Sequence, residues 1–150
     1  MEGLEFEIKN GRLYVEEDQF PLYKITMLKI AKSAMDPEQF AIRIQQNDSM
    51  VMELYYKTYS PIDIDFNFSK LCDALIAECP EYFVYDSDTL INLHNVTDVS
   101  IKKQGLLARK VSLSFNGRAG DASLEYSRES FADLKRVYRQ TTAKNNTLTN

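Results

Sequence analysis

The feature that most constrains this chain is a change of hydrophobic period that occurs twice. Phe68, Leu71 and Leu75 stand at i, i+3 and i+7, with Pro80 ending the run, and Phe131, Leu134 and Tyr138 repeat that spacing. Such spacing lays the apolar residues along one face of a helix. Each run follows segments whose apolar positions alternate with a period of two, as in strands with one face inward. Before the first helix these segments are Tyr23 to Ile30, Phe40 to Gln45 and Met50 to Lys57. Before the second they are Leu90 to Ile101, broken near His94-Asn95, then Val111 to Phe115 and Ala122 to Tyr126.

Punctuation between the segments supports this order. Asn10-Gly11, between Glu5–Lys9 and Arg12–Val15, readily takes positive φ at both turn positions and predicts a β-hairpin. Asp36-Pro37-Glu38-Gln39 predicts a helical turn followed by a strand. Ile62, Ile64, Phe66 and Phe68 continue the alternation, so a strand is expected to run into the first helix, capped by Asn67 or Ser69. Ser127 or Ser130 opens the second helix. The expected fold is α+β: two pseudo-repeated β-β-β-α units with an extra N-terminal β-hairpin, their antiparallel sheets packed with two helices. The units span about residues 1–80 and 82–140 of one domain, and residues 141–150 form a polar tail.

Charge divides along the same line. Residues 1–90 hold 8 Lys and Arg against 17 Asp and Glu, a net −9, whereas residues 91–150 hold 10 against 5, a net +5. Halves of opposite sign can attract one another, within a chain or between chains, or the basic half can face an external anion such as nucleic acid. The candidate protein-binding face is a stripe of Tyr55, Lys57 and Tyr59 with Arg43 beside it, since Tyr and Arg are enriched at interfaces. The candidate nucleic-acid face comprises Lys102, Lys103, Arg109, Lys110 and Arg118. Lys102-Lys103 and Arg109-Lys110 flank Gly105 as one basic hairpin tip, and Arg118 lies in Asn116–Asp121, the most glycine-dense stretch and a predicted hairpin turn.

Groups for chemistry are sparse. Asp63-Ile64-Asp65-Phe66-Asn67 begins like a calcium loop, but Phe68 stands where Gly is needed and Ala74 where Glu is needed. An acidic, solvent-facing strand accounts for it. His94 is the single histidine, with no nucleophile near it in sequence. Cys72 and Cys79 are about 10 Å apart along a helix, beyond disulfide reach, and are expected as buried thiols. No Walker, dinucleotide or Gly-x-Ser-x-Gly motif occurs. The expectation is therefore no catalytic residue, metal or cofactor. No stretch reaches 18 consecutive apolar residues and the start is acidic rather than leader-like, so a cytoplasmic protein without a membrane partner is expected.

The twofold order of strands followed by a helix resembles the architecture of PC4-like and Whirly-type single-strand binders, and that of tandem sheet-and-helix interaction domains. The resemblance is one of architecture and carries no residue across. The sequence predicts a non-enzymatic protein-binding module, a small accessory, inhibitor or immunity-type factor that self-associates as a homodimer. The alternative is a single-stranded nucleic-acid binder that uses the basic half.

Overall fold

The structure, a computed structural model, describes residues 3–34, 36–48, 51–53 and 59–149. They form an α+β fold of antiparallel sheets and two helices. The chain runs β1 (Phe6–Lys9), β2 (Arg12–Val15), β3 (Asp18–Pro21), a 3-10 turn (Leu22–Lys24), β4 (Ile25–Lys32), β5 (Phe40–Gln46), β6 (Val51–Glu53) and α1 (Pro61–Glu78). It continues with β7 (Tyr82–Asp86), β8 (Thr89–Asn92), a second 3-10 turn (Leu93–Asn95), β9 (Val96–Gln104), β10 (Ala108–Phe115), β11 (Ala122–Glu125) and α2 (Arg128–Thr149). Among the described residues there are three sheets, ordered β1-β2-β3, β6-β5-β4-β8-β7 and β11-β10-β9. The central sheet is built from both halves of the chain, because β8 pairs antiparallel with β4 through Met27–Ile91, Leu28–Leu90 and Lys29–Thr89.

Local signals explain most of the elements. Asn10 and Gly11 sit at φ 53° and 71°, the positive pair that a tight β1–β2 hairpin requires. Asp36 closes a turn before β5 by accepting from Gln39 N at its carbonyl (3.0 Å) and from Glu38 N at its side chain (3.1 Å). Ser127 caps α2 by accepting the Ser130 amide at 3.0 Å.

Four expectations change. Residues 62–68 are helix, not strand: Pro61 supplies the preset φ of a first helical residue, Ser60 accepts the Asp63 amide, and the Ser60 hydroxyl donates to Asp63 at 3.1 Å. That local cap overrides the short alternation. Asn67 is accordingly no cap; it is buried, with Oδ1 accepting Leu4 N at 2.6 Å and Nδ2 donating to Asp63 O at 2.8 Å. The second half has its own hairpin, β7–β8, so a hairpin precedes the strands of each half rather than of the first alone. The expected polar tail continues α2 as far as Thr149. Of the predicted strand from Met50 to Lys57, residues 51–53 form β6; the remainder, Met50 and residues 54–58, lies outside the described residues.

The apolar residues form two clusters, one on each face of the central sheet. Leu28 and Leu90 join Ile42, Ile44, Leu71 and Leu75 beneath α1. Their strand neighbours Met27 and Ile91 join Val111, Leu113, Leu124 and Leu134. Adjacent residues of a strand face opposite ways, so the paired strands β4 and β8 serve both cores.

Buried amides lock the halves together where the two 3-10 turns meet. Asn92 Nδ2 donates to Ile25 O (2.8 Å), and Asn95 Nδ2 donates to Tyr23 O (2.7 Å) and Ile25 O (2.8 Å). Tyr82 OH donates to Leu22 O at 3.1 Å. Removing Asn95 takes the side-chain donor from Tyr23 O while Ile25 O keeps Asn92, so Asn95→Ala is expected to lower the unfolding free energy by about 1 to 3 kcal/mol. A lowered urea midpoint at unchanged slope is the readout. Thr26 is the converse case: its buried hydroxyl finds no partner among the described residues. Thr26→Val is expected to raise stability by up to about 1 kcal/mol in the same assay.

Candidate interaction surface

The tyrosine stripe does not form the exposed face expected of it. Tyr59 is only 3% exposed and belongs to the core beneath α1. It bridges Phe40 through two backbone hydrogen bonds of 2.9 Å, immediately before the Ser60 cap turns the chain into the helix. Arg43 is exposed on β5, in register between Lys29 of β4 and Glu53 of β6. Tyr55 and Lys57 lie outside the described residues. Tyr59 therefore reads as a packing residue, and Tyr59→Ala is expected to cost about 3 kcal/mol or more in chemical denaturation.

The groups weighed for chemistry are dispersed. Asp63 belongs to the α1 cap and Asp65 is exposed on the helix, so the two do not share a strand face. Among the described residues no three His, Cys, Asp or Glu side chains gather as metal ligands. His94 sits exposed on the second 3-10 turn, its amide held by Asn92 Oδ1 at 3.2 Å. It borders a cavity of about 330 Å³ whose other walls include Leu22, Tyr23, Tyr82, Glu78 and Glu81. Cys79 also lines this cavity, but burial, then Glu81 and Glu78, push its thiol up. Burial and Asp73 push the Cys72 thiol up to about 12. Both shifts disfavour the thiolate, the reactive form. At pH 8 Cys72 is accordingly expected to react with a thiol reagent no faster than the protein unfolds; rapid labelling of the folded protein would contradict this environment.

The basic residues behave differently. Register pairs Lys102 with Lys110 and Lys103 with Arg109 across β9 and β10, which sets four cations in two directly opposed pairs. Like charges so placed repel and weaken a hairpin. Two are compensated: Lys110 forms an ion pair with Glu125, which holds that carboxyl below its ordinary range, and the Arg109 guanidinium lies over the Tyr126 ring at 5.8 Å. Lys102 and Lys103 are exposed. β11 pairs with β10 only over Lys110–Leu113, so Lys103–Arg109, Gln104–Ala108 and the turn between them extend beyond the sheet as a two-stranded arm. At its tip, after Gly105 at φ 73°, Leu106 and Leu107 are fully exposed. Sequence periodicity missed these leucines because it treats apolar residues as core; their position inside a predicted turn was the available signal.

Arg118 does not join the arm. It lies past the other end of β10, roughly 25 Å away at the usual strand rise, where its amide donates to Asn47 O at 2.6 Å. Gly117 is required there, because its φ is 75° and a Cβ would lie 2.5 Å from that same oxygen. The glycine-dense stretch thus joins β10 to β11 and anchors to the β5–β6 connection. The aromatic residues of this half are also turned from solvent: Phe115 is buried and Tyr126 packs against the second core.

Comparison with protein-family models, curated proteins and solved structures finds no match for this chain.

Proposed function

We propose that this chain is a non-enzymatic protein-binding module, an accessory, inhibitor or immunity-type factor of the cytoplasm, and that it presents the β9–β10 arm to its partner. The observation that carries this proposal is the fully exposed Leu106-Leu107 pair at the arm's tip. Adjacent leucines in water bring the chain no stability, and burying such side chains in a partner's pocket favours association by about 1.5 to 3 kcal/mol each before ordering costs. The cations beside them select an acidic surface and speed encounter. Raised thiol pKa values and dispersed carboxylates favour a binding role over catalysis.

The single-strand nucleic-acid reading retains support from the four clustered cations. It lacks the aromatic platform on which bases stack, since Phe115 and Tyr126 pack inward and Arg118 is remote. Leu106→Asp with Leu107→Asp is expected to leave the thermal midpoint within about 2 °C while abolishing partner capture in a pull-down. Arg118→Ala is expected to leave capture intact. A labelled single-stranded oligonucleotide is expected to show no shift at low salt. Binding that declines steeply as salt rises would assign the arm to nucleic acid instead.

A further inference from the structure

We infer that the arm's partner is a second copy of this chain, bound through antiparallel pairing of β9 with β9 and insertion of each arm tip into the other copy's cavity; this rests on the protein-binding role proposed above. Three observations converge on it.

The first is an unfilled edge. β4 and β9 each follow a 3-10 turn, and each begins a three-stranded run that leads to a helix. The outer edge of β4 carries β8, with Ile30 N donating to Asp88 O at 2.9 Å. β9, nine residues long, ends its sheet. The sixth residues of the two strands record the difference, since Ile30 is 9% exposed and Ile101 is 37% exposed. An uncovered strand of this length is a template for another strand.

The second is self-complementary charge. If two β9 strands run antiparallel about a dyad at Ser100, Asp98 of each faces Lys102 of the other and Val99 faces Ile101. The apolar pair would continue the face on which Val111 and Leu113 stand in register with Ile101 and Val99. Asp98 and Lys102 are both exposed. A slip by one residue sets Asp98 against Ile101 in one direction; in the other it keeps an Asp98–Lys103 contact but sets Val99 against Lys102 and Ser100 against Ile101, so charge and the apolar pair together fix the register.

The third is the position of knob and hole. His94, bordering the cavity, lies just before β9, and Leu106-Leu107 lie just after it. Pairing about Ser100 therefore brings Leu106 of one copy level with His94 of the other, and does so twice. The cavity's Tyr23, Leu22 and Tyr82 suit leucine, while Glu78 and Glu81 at its wall suit Lys103 and Arg109. An interface of this kind is isologous and closes at two copies.

Sedimentation velocity over a concentration series tests the proposal. The wild type is expected to dimerise at or below about 100 µM. Asp98→Lys alone and Lys102→Asp alone should each raise the dimer dissociation constant by about ten- to a hundredfold. The double variant, Asp98→Lys with Lys102→Asp, should recover the dimer because it re-forms the pair in reverse. Circular dichroism of each variant checks that the exposed substitutions leave the fold intact. A monomeric wild type, or a dimer indifferent to both single charge reversals, would overturn the pairing. If a monomeric wild type still captures another protein, and Leu106→Asp with Leu107→Asp abolishes that capture, self-pairing fails while the protein-binding role stands. If the monomer instead co-sediments with phosphatidylcholine vesicles containing about 30% phosphatidylserine, and the leucine variant does not, both fail and the arm docks on membrane.

Discussion

The structure depends on a set of buried carbonyls that one half of the chain cannot satisfy. Around the first 3-10 turn, the oxygens of Tyr23 and Ile25 accept from Asn92 and Asn95 of the other half, and Leu22 O, which holds the Ile25 amide, accepts from Tyr82 as well. A buried peptide oxygen without a donor costs more than an average hydrogen bond returns, so this seam is an obligation rather than a bonus. It fixes where the second half begins and brings β8 alongside β4. With β8 in place, Met27 and Leu28, neighbours in sequence, belong to different cores, and α1 and α2 pack on opposite faces of a shared sheet. Asn95 extends the seam further by accepting from Asn116 Nδ2 at 3.1 Å, which ties the start of the β10–β11 connection to the same junction.

Much of this layout is legible from residue types and spacing. Asn10-Gly11, the break at His94-Asn95, the strands at 111–115 and 122–125, and Ser127 as a cap all follow from local chemistry that tertiary contacts do not oppose. The failure at residues 62–68 is instructive because Ile62, Ile64, Phe66 and Phe68 satisfy a period of two over only a few residues. Ile64, Phe68, Leu71 and Leu75 satisfy the helical period over a longer span, and Ser60-Pro61 precedes them. A capped helix of 18 residues outweighs a short alternation. Tyr82–Asp86 was not marked for a different reason: it is an edge strand whose buried residues, Tyr82 and Tyr85, lie three apart and belong to different cores, so no period of two shows.

The candidate surface was half legible. Charge counting located the basic residues, and the Gly105 turn predicted that Lys102, Lys103, Arg109 and Lys110 would meet. Nothing in the spacing separated Arg118 from them, because its distance comes from the direction in which β10 runs. The tyrosines show the opposite limit. A strand face can be assigned from alternation only while the strand lasts, and at Tyr59 the chain is already turning into the Ser60 cap, which draws the ring into the core. Leu106 and Leu107 escaped notice since hydrophobicity by itself does not say whether a residue is buried in its own chain or in something else.

The edge strands of this fold are not equally open, and the contrast between β3 and β9 bears on what β9 is for. β3 also ends its sheet, but it is four residues long and closes on Pro21, which has no amide to give, so it is blunted against strand addition. β9 has nine residues, no proline, and a single acidic residue, Asp98, near one end with Lys102 and Lys103 near the other. Uniform lysine along the edge would repel every strand that approached. One carboxylate placed four residues from a lysine, with Val99 and Ile101 between them, instead admits an antiparallel strand of the same sequence in the register that matches both the charges and the apolar pair, and penalises the others, which is how an edge is kept from indiscriminate aggregation while remaining available to a chosen partner. The arm adds a second condition, because an apolar tip gains from pairing only if a pocket stands one strand length away. The cavity beside His94 stands at that distance along the same strand, so backbone, charge and shape favour the same dyad.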